Sequence, residues 1–187
     1  ERALREEFVR IGQLMHQRSY VTATDGNLSA RLGADRFLVT PSGLSKGYMR
    51  ADEMVVIDWD ARPVGESKYG PARGLKPSSE ILLHLEAYRQ RPDIAAVVHA
   101  HPTHAITLSI AGVSLARCLL PEVIVTLGLI PTTEYATPAS AEGATVIRDL
   151  IRGHDALILQ RHGSVTVGKS VWEAYLKLEK LENAAEV

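Results

Sequence analysis

The stretch VVHAHPTHA, residues 97–105, places three of the chain's seven histidines within six positions, directly behind a run of apolar residues. Side chains of a strand alternate between its faces, so His99 and His101 point one way and Ala100 the other. The pattern predicts a buried strand over 94–101 that presents two imidazoles, about 7 Å apart along the backbone, to one small ion. Pro102 ends that strand and opens a helix over 103–111. Taken alone, a His-x-His at a strand end reads first as two histidines satisfied by hydrogen bonds. The question is which other residues join them.

His162 is the best third ligand. The segment ALILQRHG (156–163) carries a second buried strand directly to a histidine, with Gly163 permitting a sharp turn. Three neutral imidazoles that leave a position open to substrate form a catalytic-zinc pattern. His84 follows Glu80 by four residues, so the two share a helix face; they form a metal pair, or His84 is a helix histidine bonded to a neighbour. His104 lies off the strand's face and reads as a supporting or structural group. His16 and His154 sit in surface-like contexts.

Outward from these histidines, Leu4, Phe8, Ile11 and Met15 form the apolar stripe of an amphipathic first helix, and Ala174, Leu178, Leu181 and Ala185 that of a last one. Short extended pieces are expected at 27–32, 36–40 and 54–58, with PSG at 41–43 as punctuation and a Gly- and Pro-rich loop over 61–74. SSEILLHLEAYRQRP (78–92) has a helix start, with Ser at the cap and Glu in the first turn, and a Pro beyond its end. VIV (123–125) is expected to be a strand, 141–151 a helix, and 156–160 and 164–167 a hairpin-like pair. Helices among short, partly hairpin-joined strands predict one three-layer α/β/α domain over 1–187, around a largely antiparallel or mixed sheet.

Composition excludes several classes of partner. The 187 residues carry a formal net charge of -1, with 45% hydrophobic and 23% charged residues, so there is no basic footprint for nucleic acid. No stretch approaches the roughly 18 apolar residues of a membrane span. Cys118 is the one cysteine, which excludes an internal disulfide and makes a reducing cytoplasm the expected compartment.

Five ordered motifs, TDGNLSAR (24–31), TPSGLSKG (40–47), KPSSEILLH (76–84), RPDIAAVVHAHPTHA (91–105) and LILQRHGSVTVG (157–168), resemble the class II aldolase/adducin family. That family includes zinc-dependent fuculose-1-phosphate and rhamnulose-1-phosphate aldolases and ribulose-5-phosphate 4-epimerase. The resemblance implies a single α/β/α domain, usually a homotetramer with sites at subunit interfaces, acting on a phosphorylated sugar. It implies that His99, His101 and His162 hold Zn2+ or another divalent metal, and that Glu80 is the catalytic carboxylate that also approaches the metal. It further implies that Gly26, Asn27, Ser42, Gly43, Ser78 and Ser79 hold the substrate's phosphate. The residues themselves agree: the glycines allow close backbone approach to an anion, and the serines lie at a helix start, where free N–H groups and the dipole favour phosphate.

On this resemblance the expected activity is cleavage of a ketose 1-phosphate, of fuculose-1-phosphate or deoxypentulose-1-phosphate type, to dihydroxyacetone phosphate and an aldehyde. Glu80 would shuttle the proton, suited to it if an apolar pocket raises its pKa. Epimerases of the family carry Asp where this chain has Glu80. Decarboxylases and dehydratases keep similar ligands and remain alternatives, as does a non-catalytic adducin-like scaffold. One departure stands out: the Tyr that the fuculose aldolases supply after the His-x-His strand is missing from SLARCLLPEVIV (114–125), where Arg117, Cys118 or Glu122, or more distantly Tyr135, would have to serve.

Overall fold

A computed structural model of the chain describes residues 1–65, 74–117 and 120–187. Helix α1 (Arg2–Gln17) precedes strands β1 (Asn27–Arg31), β2 (Phe37–Val39) and β3 (Val55–Ile57). Next come α2 (Ile81–Gln90), β4 (Ala96–Ala100), α3 (Thr103–Ala111), α4 (Pro121–Leu127), α5 (Ala141–Thr145) and α6 (Arg148–Ile151). The hairpin strands β5 (Ala156–Leu159) and β6 (Gly163–Gly168) lead into α7 (Val171–Glu186). The six strands form one sheet in the order β3-β2-β1-β4-β6-β5, and all five ladders are antiparallel.

The sheet separates two helix layers, as expected. On one face α1 and α7 bury Phe8, Ile11, Met15, Tyr175 and Leu178 against Leu28, Val98 and Ala100, with α3 beside α7. On the other, α2 and α6 bury Leu85, Tyr88 and Ile151 against Phe37, Val97, Leu157 and Val165. Because side chains alternate along β4, Val97 assigns His99 to the α2 face. β4 sits between β1 and β6 and is buried along its whole length, which is why its sequence is a continuous apolar run up to the histidine.

Three expected elements differ. VIV (123–125) lies in helix α4, not a strand: Pro121 occupies the first turn, and Val123 and Leu127, four apart, are the buried side chains, so an i,i+4 apolar pair outweighs the β-branched propensity. The helix expected over 141–151 is two short pieces, α5 and α6, with Gly143 weakening the first of them. The helix expected from 78 begins at Ile81, with Glu80 in the cap position, not Ser78 and not the first turn. Of the loop expected over 61–74, residues 66–73 lie outside the described residues. Among the described residues, no helix is long and apolar enough to cross a membrane.

Candidate active site

β4 delivers His99 near its end, and the His101 N–H donates to the Tyr20 carbonyl at 2.8 Å, fixing the chain one residue beyond the strand. His162 arrives on the three-residue turn that joins β5 to β6. The left-handed residue of that turn is Arg161 (φ 57°), so Gly163 does not make the sharp bend expected of it. Its function is steric. A Cβ on Gly163 would stand 2.3 Å from the Ala100 carbonyl oxygen and 3.0 and 3.1 Å from the rings of His101 and His99. Glycine lets the hairpin close onto β4 and brings the third imidazole beside the first two.

The His99 Nδ1 lies 2.9 Å from the Ser164 carbonyl. A carbonyl only accepts, so Nδ1 carries the proton and Nε2 presents a bare lone pair. That lone pair faces His101 Nε2 at 3.0 Å and Glu80 Oε2 at 3.2 Å. Glu80 Oε1 is 3.0 Å from His162 Nε2, and Asp25 lies 3.5 Å from the outer nitrogen of His101, where it can orient the ring. One ligand atom from each of Glu80, His99, His101 and His162 lies within 4.8 Å of all the others. Ligands at about 2.0–2.1 Å from one tetrahedral ion stand about 3.4 Å apart, so a contraction of up to about 1.4 Å between the farthest pair would let these four share a divalent cation. Lone pairs converging without protons between them are what such an ion requires.

The charge states point the same way. Burial alone would raise the Glu80 pKa, but the adjoining rings of His162 and His99 outweigh it and hold the carboxyl well below the usual range. This reverses the rise expected of an apolar pocket. Burial, and then the neighbouring His99 and His162, push His101 down to about 4. Glu80 is thus a carboxylate and His101 a neutral imidazole.

The segments expected to hold phosphate come together around it. Ser42 N–H bonds to the Lys76 carbonyl at 2.9 Å and Ser78 N–H to the Thr40 carbonyl at 3.2 Å, zipping the 40–43 and 76–79 segments side by side. Gly26 has φ +70° and is pressed against Val21 and the His99 carbonyl, so only glycine fits. Gly43 has φ +76° with open space where a Cβ would be. Asn27, beside Gly26, donates to Glu80 Oε2 at 3.1 Å. Ser42 and Ser79 are exposed, and Ser79 lines a crevice with Glu80, Glu134, Gln160 and His162.

Lys46 was not anticipated. Its side chain is buried, and its ammonium donates to the Thr24 carbonyl at 2.8 Å and the Leu44 carbonyl at 2.6 Å, tying together two of the loops expected to hold phosphate. Burial lowers its pKa to about 8, against the opposing pull of Asp25 and Glu80. The only sequence signal was its place in SGLSKG. Gly12 of α1 contributes here, since a Cβ there would come within 2.4 Å of the Lys46 carbonyl oxygen.

Other candidates fall away from the four-ligand group. His84 Nδ1 bonds Ser29 Oγ at 2.7 Å, so His84 is a helix histidine held by a neighbour. His104 Nδ1 lies 2.9 Å from Glu182, whose carboxylate also accepts the His104 and Ala105 N–H groups at the start of α3. Arg117 lines a small cavity with Leu115, Leu120 and Val123, Glu122 is exposed on α4, and Tyr135 is exposed beside the crevice. Cys118 lies outside the described residues.

An antiparallel sheet lies between helix layers, with three imidazoles and a carboxylate that could hold a metal ion gathered at the end of a central strand. A family model described as Class II Aldolase and Adducin N-terminal domain matches residues 6–187, and the chain belongs to this family. The L-fuculose phosphate aldolase of Methanococcus maripaludis is 33% identical over 97% of this chain and 93% of its own length. The 3-oxo-tetronate 4-phosphate decarboxylase of Escherichia coli (strain CFT073) is 34% identical over 100% of this chain and 86% of its own. The solved structure of YgbL from Escherichia coli superposes with a TM-score of 0.87 at 32% identity, covering 99% of this chain and 87% of that one.

Proposed function

We propose that this protein is a zinc-dependent aldolase that cleaves a ketose 1-phosphate, of fuculose or deoxypentulose type, to dihydroxyacetone phosphate and an aldehyde. The observation that carries the reading is the approach of Glu80 to His99, His101 and His162 within 4.8 Å. A zinc ion held by the imidazoles would supply Lewis-acid polarisation of a ketone oxygen. The chain's own residues do the rest. Gly26, Asn27, Ser42, Gly43, Ser78 and Ser79 offer N–H and O–H donors to the phosphate, and Lys46 adds fixed positive charge behind two of these loops. Anchoring that end orients the reacting bond. When the bond between C3 and C4 breaks, C4 becomes the aldehyde carbon as its hydroxyl proton passes, directly or through a water, to the Glu80 carboxylate. The electron pair stays on C3, where Glu80 delivers a proton.

A second reading has its own support in the decarboxylase relative, matched as closely as the aldolase. Loss of CO2 from a 3-oxo-tetronate 4-phosphate also leaves an electron pair next to a ketone, and protonation there also yields dihydroxyacetone phosphate. The two readings share the phosphate anchor and the proton step and differ in the fragment that leaves. Metal-loaded protein should therefore be offered a panel of ketose 1-phosphates and 3-oxo-tetronate 4-phosphate. Dihydroxyacetone phosphate with an equivalent of aldehyde supports the aldolase; release with CO2 alone replaces it by the second reading; no release refutes both.

The same reading makes the protein a homotetramer with sites at subunit interfaces. Its support is the exposed apolar set Ile110, Val113, Ile124, Val125 and Leu129 around the α3–α4 connection, a kind of patch that marks association surfaces.

A further inference from the structure

β1 and α2 face each other with matched periods. Two residues of strand advance about 6.6 Å and four of helix about 6 Å, so Asn27 and Ser29 stand opposite Glu80, His84 and Tyr88. The rungs are hydrogen bonds: Asn27 Nδ2 donates to Glu80 Oε2 at 3.1 Å, and Ser29 Oγ meets His84 Nδ1 at 2.7 Å and the Tyr88 hydroxyl at 2.8 Å. Asn27, Ser29, His84 and Tyr88 are each at most 2% exposed. Yet Asn27 Oδ1 and His84 Nε2 are enclosed without a partner. An unmet buried polar atom costs about 1–3 kcal/mol, so two such atoms beside one carboxylate call for an explanation.

We propose that His84 is a positioning residue for Glu80: its Nε2–H donates to Asn27 Oδ1 through one enclosed water, and so locks the amide that holds the carboxylate. The polarity of the column follows from its single-proton hydroxyls. If Tyr88 donates to Ser29 and Ser29 donates to His84 Nδ1, the imidazole proton sits on Nε2 and a donor faces an acceptor. In the reverse order Nε2 is bare, and a water enclosed between two acceptors would give up both its protons and accept none, whereas the first order runs donor to acceptor throughout. With Oδ1 held, the Asn27 amide cannot turn over. One of its N–H bonds stays on Glu80 and the second is left for the anion site. The inference rests on the proposed function only for what Glu80 does once it is held.

Two measurements test it. Selective 15N-histidine labelling of the wild-type protein, with the His84 signal assigned by its loss in His84→Gln, should show a neutral ring protonated at Nε2; protonation at Nδ1 overturns the proposal. This arm needs no activity, so it stands even if the aldolase reading fails. The second arm compares two amides by proton exchange into dihydroxyacetone phosphate at equal metal content. His84→Gln keeps a donor near the Nε2 position, while His84→Asn keeps only the contact with Ser29. Exchange within a few-fold of wild type for Gln, against a loss of about tenfold for Asn, is expected for one lost positioning hydrogen bond. Equal behaviour of the two folded variants overturns the role.

Discussion

Replacing Glu80 by Gln tests the proton step most directly. Gln preserves size and can still accept from Asn27, but it removes the basic oxygen pair that stands 3.0 Å from His162 Nε2 and 3.2 Å from His99 Nε2. Loss of a positioned general base or acid slows a reaction by on the order of 10² to 10⁴, or about 3–5 kcal/mol of barrier. The competing role for a carboxylate at the cap of α2 is structural. The Glu80 side chain makes no capping hydrogen bond, so only its charge near the helix start would count, worth about 0.3–1 kcal/mol of stability. These scales do not overlap. Exchange of a carbon-bound proton of dihydroxyacetone phosphate into deuterated water isolates the step, because it needs neither an aldehyde partner nor a carboxylate leaving group. Glu80→Gln should lose at least a hundredfold in exchange, while the three imidazoles keep the metal and the loops keep a phosphorylated analogue. Near wild-type exchange in folded, metal-loaded Glu80→Gln protein would refute the mechanism under both readings of the leaving group.

Elemental analysis should find about one divalent ion per chain, lost on chelation together with activity; His162→Ala should lose the ion, whereas His16→Ala, whose ring packs edge-on against Tyr48, should keep it. Lys46 titrates near 8 in the folded protein and near 10.5 when unfolded. Between these values the unfolded chain binds more protons, so this residue's contribution to stability rises with pH, by up to about 3 kcal/mol over the whole window. Denaturant titrations from pH 8 to 9.5 should show wild type gaining stability relative to Lys46→Met, and a flat difference would mean the ammonium is not held in the buried site. Sedimentation should show a tetramer at micromolar concentration, with Val125→Glu, at an 85% exposed position, shifting it toward smaller species; an active wild-type monomer would overturn the assembly.

What could be read from the chain and what could not divides along a physical line. His99 and His101 were legible because the strand period is local: two residues apart on a buried run fixes a shared face whatever the rest of the chain does. His162 was legible by a weaker version of the same argument, a buried strand ending at a histidine, but the reason it reaches the others was not. That reason is Gly163, whose missing Cβ matters only against Ala100, His101 and His99, more than sixty positions away. The α4 segment failed for a related cause. Val and Ile propensity is a property of single residues, whereas the 123/127 pair that makes VIV helical shows itself only once there is a core for that pair to face. The Glu80 pKa failed in the same way: an apolar pocket was a fair local guess, and two imidazoles from distant strands reverse its sign. Lys46 and the His84–Asn27 pair lie furthest from sequence logic, since each depends on which carbonyls or lone pairs another segment leaves unmet. Local periods thus name side chains that converge, while the groups that set their charge and hold them in place emerge only when the sheet closes. It follows that Gly163→Ala, Lys46→Met and His84→Asn, none of them at the four candidate ligands, should each disturb the site, with metal content, stability and proton exchange moving separately.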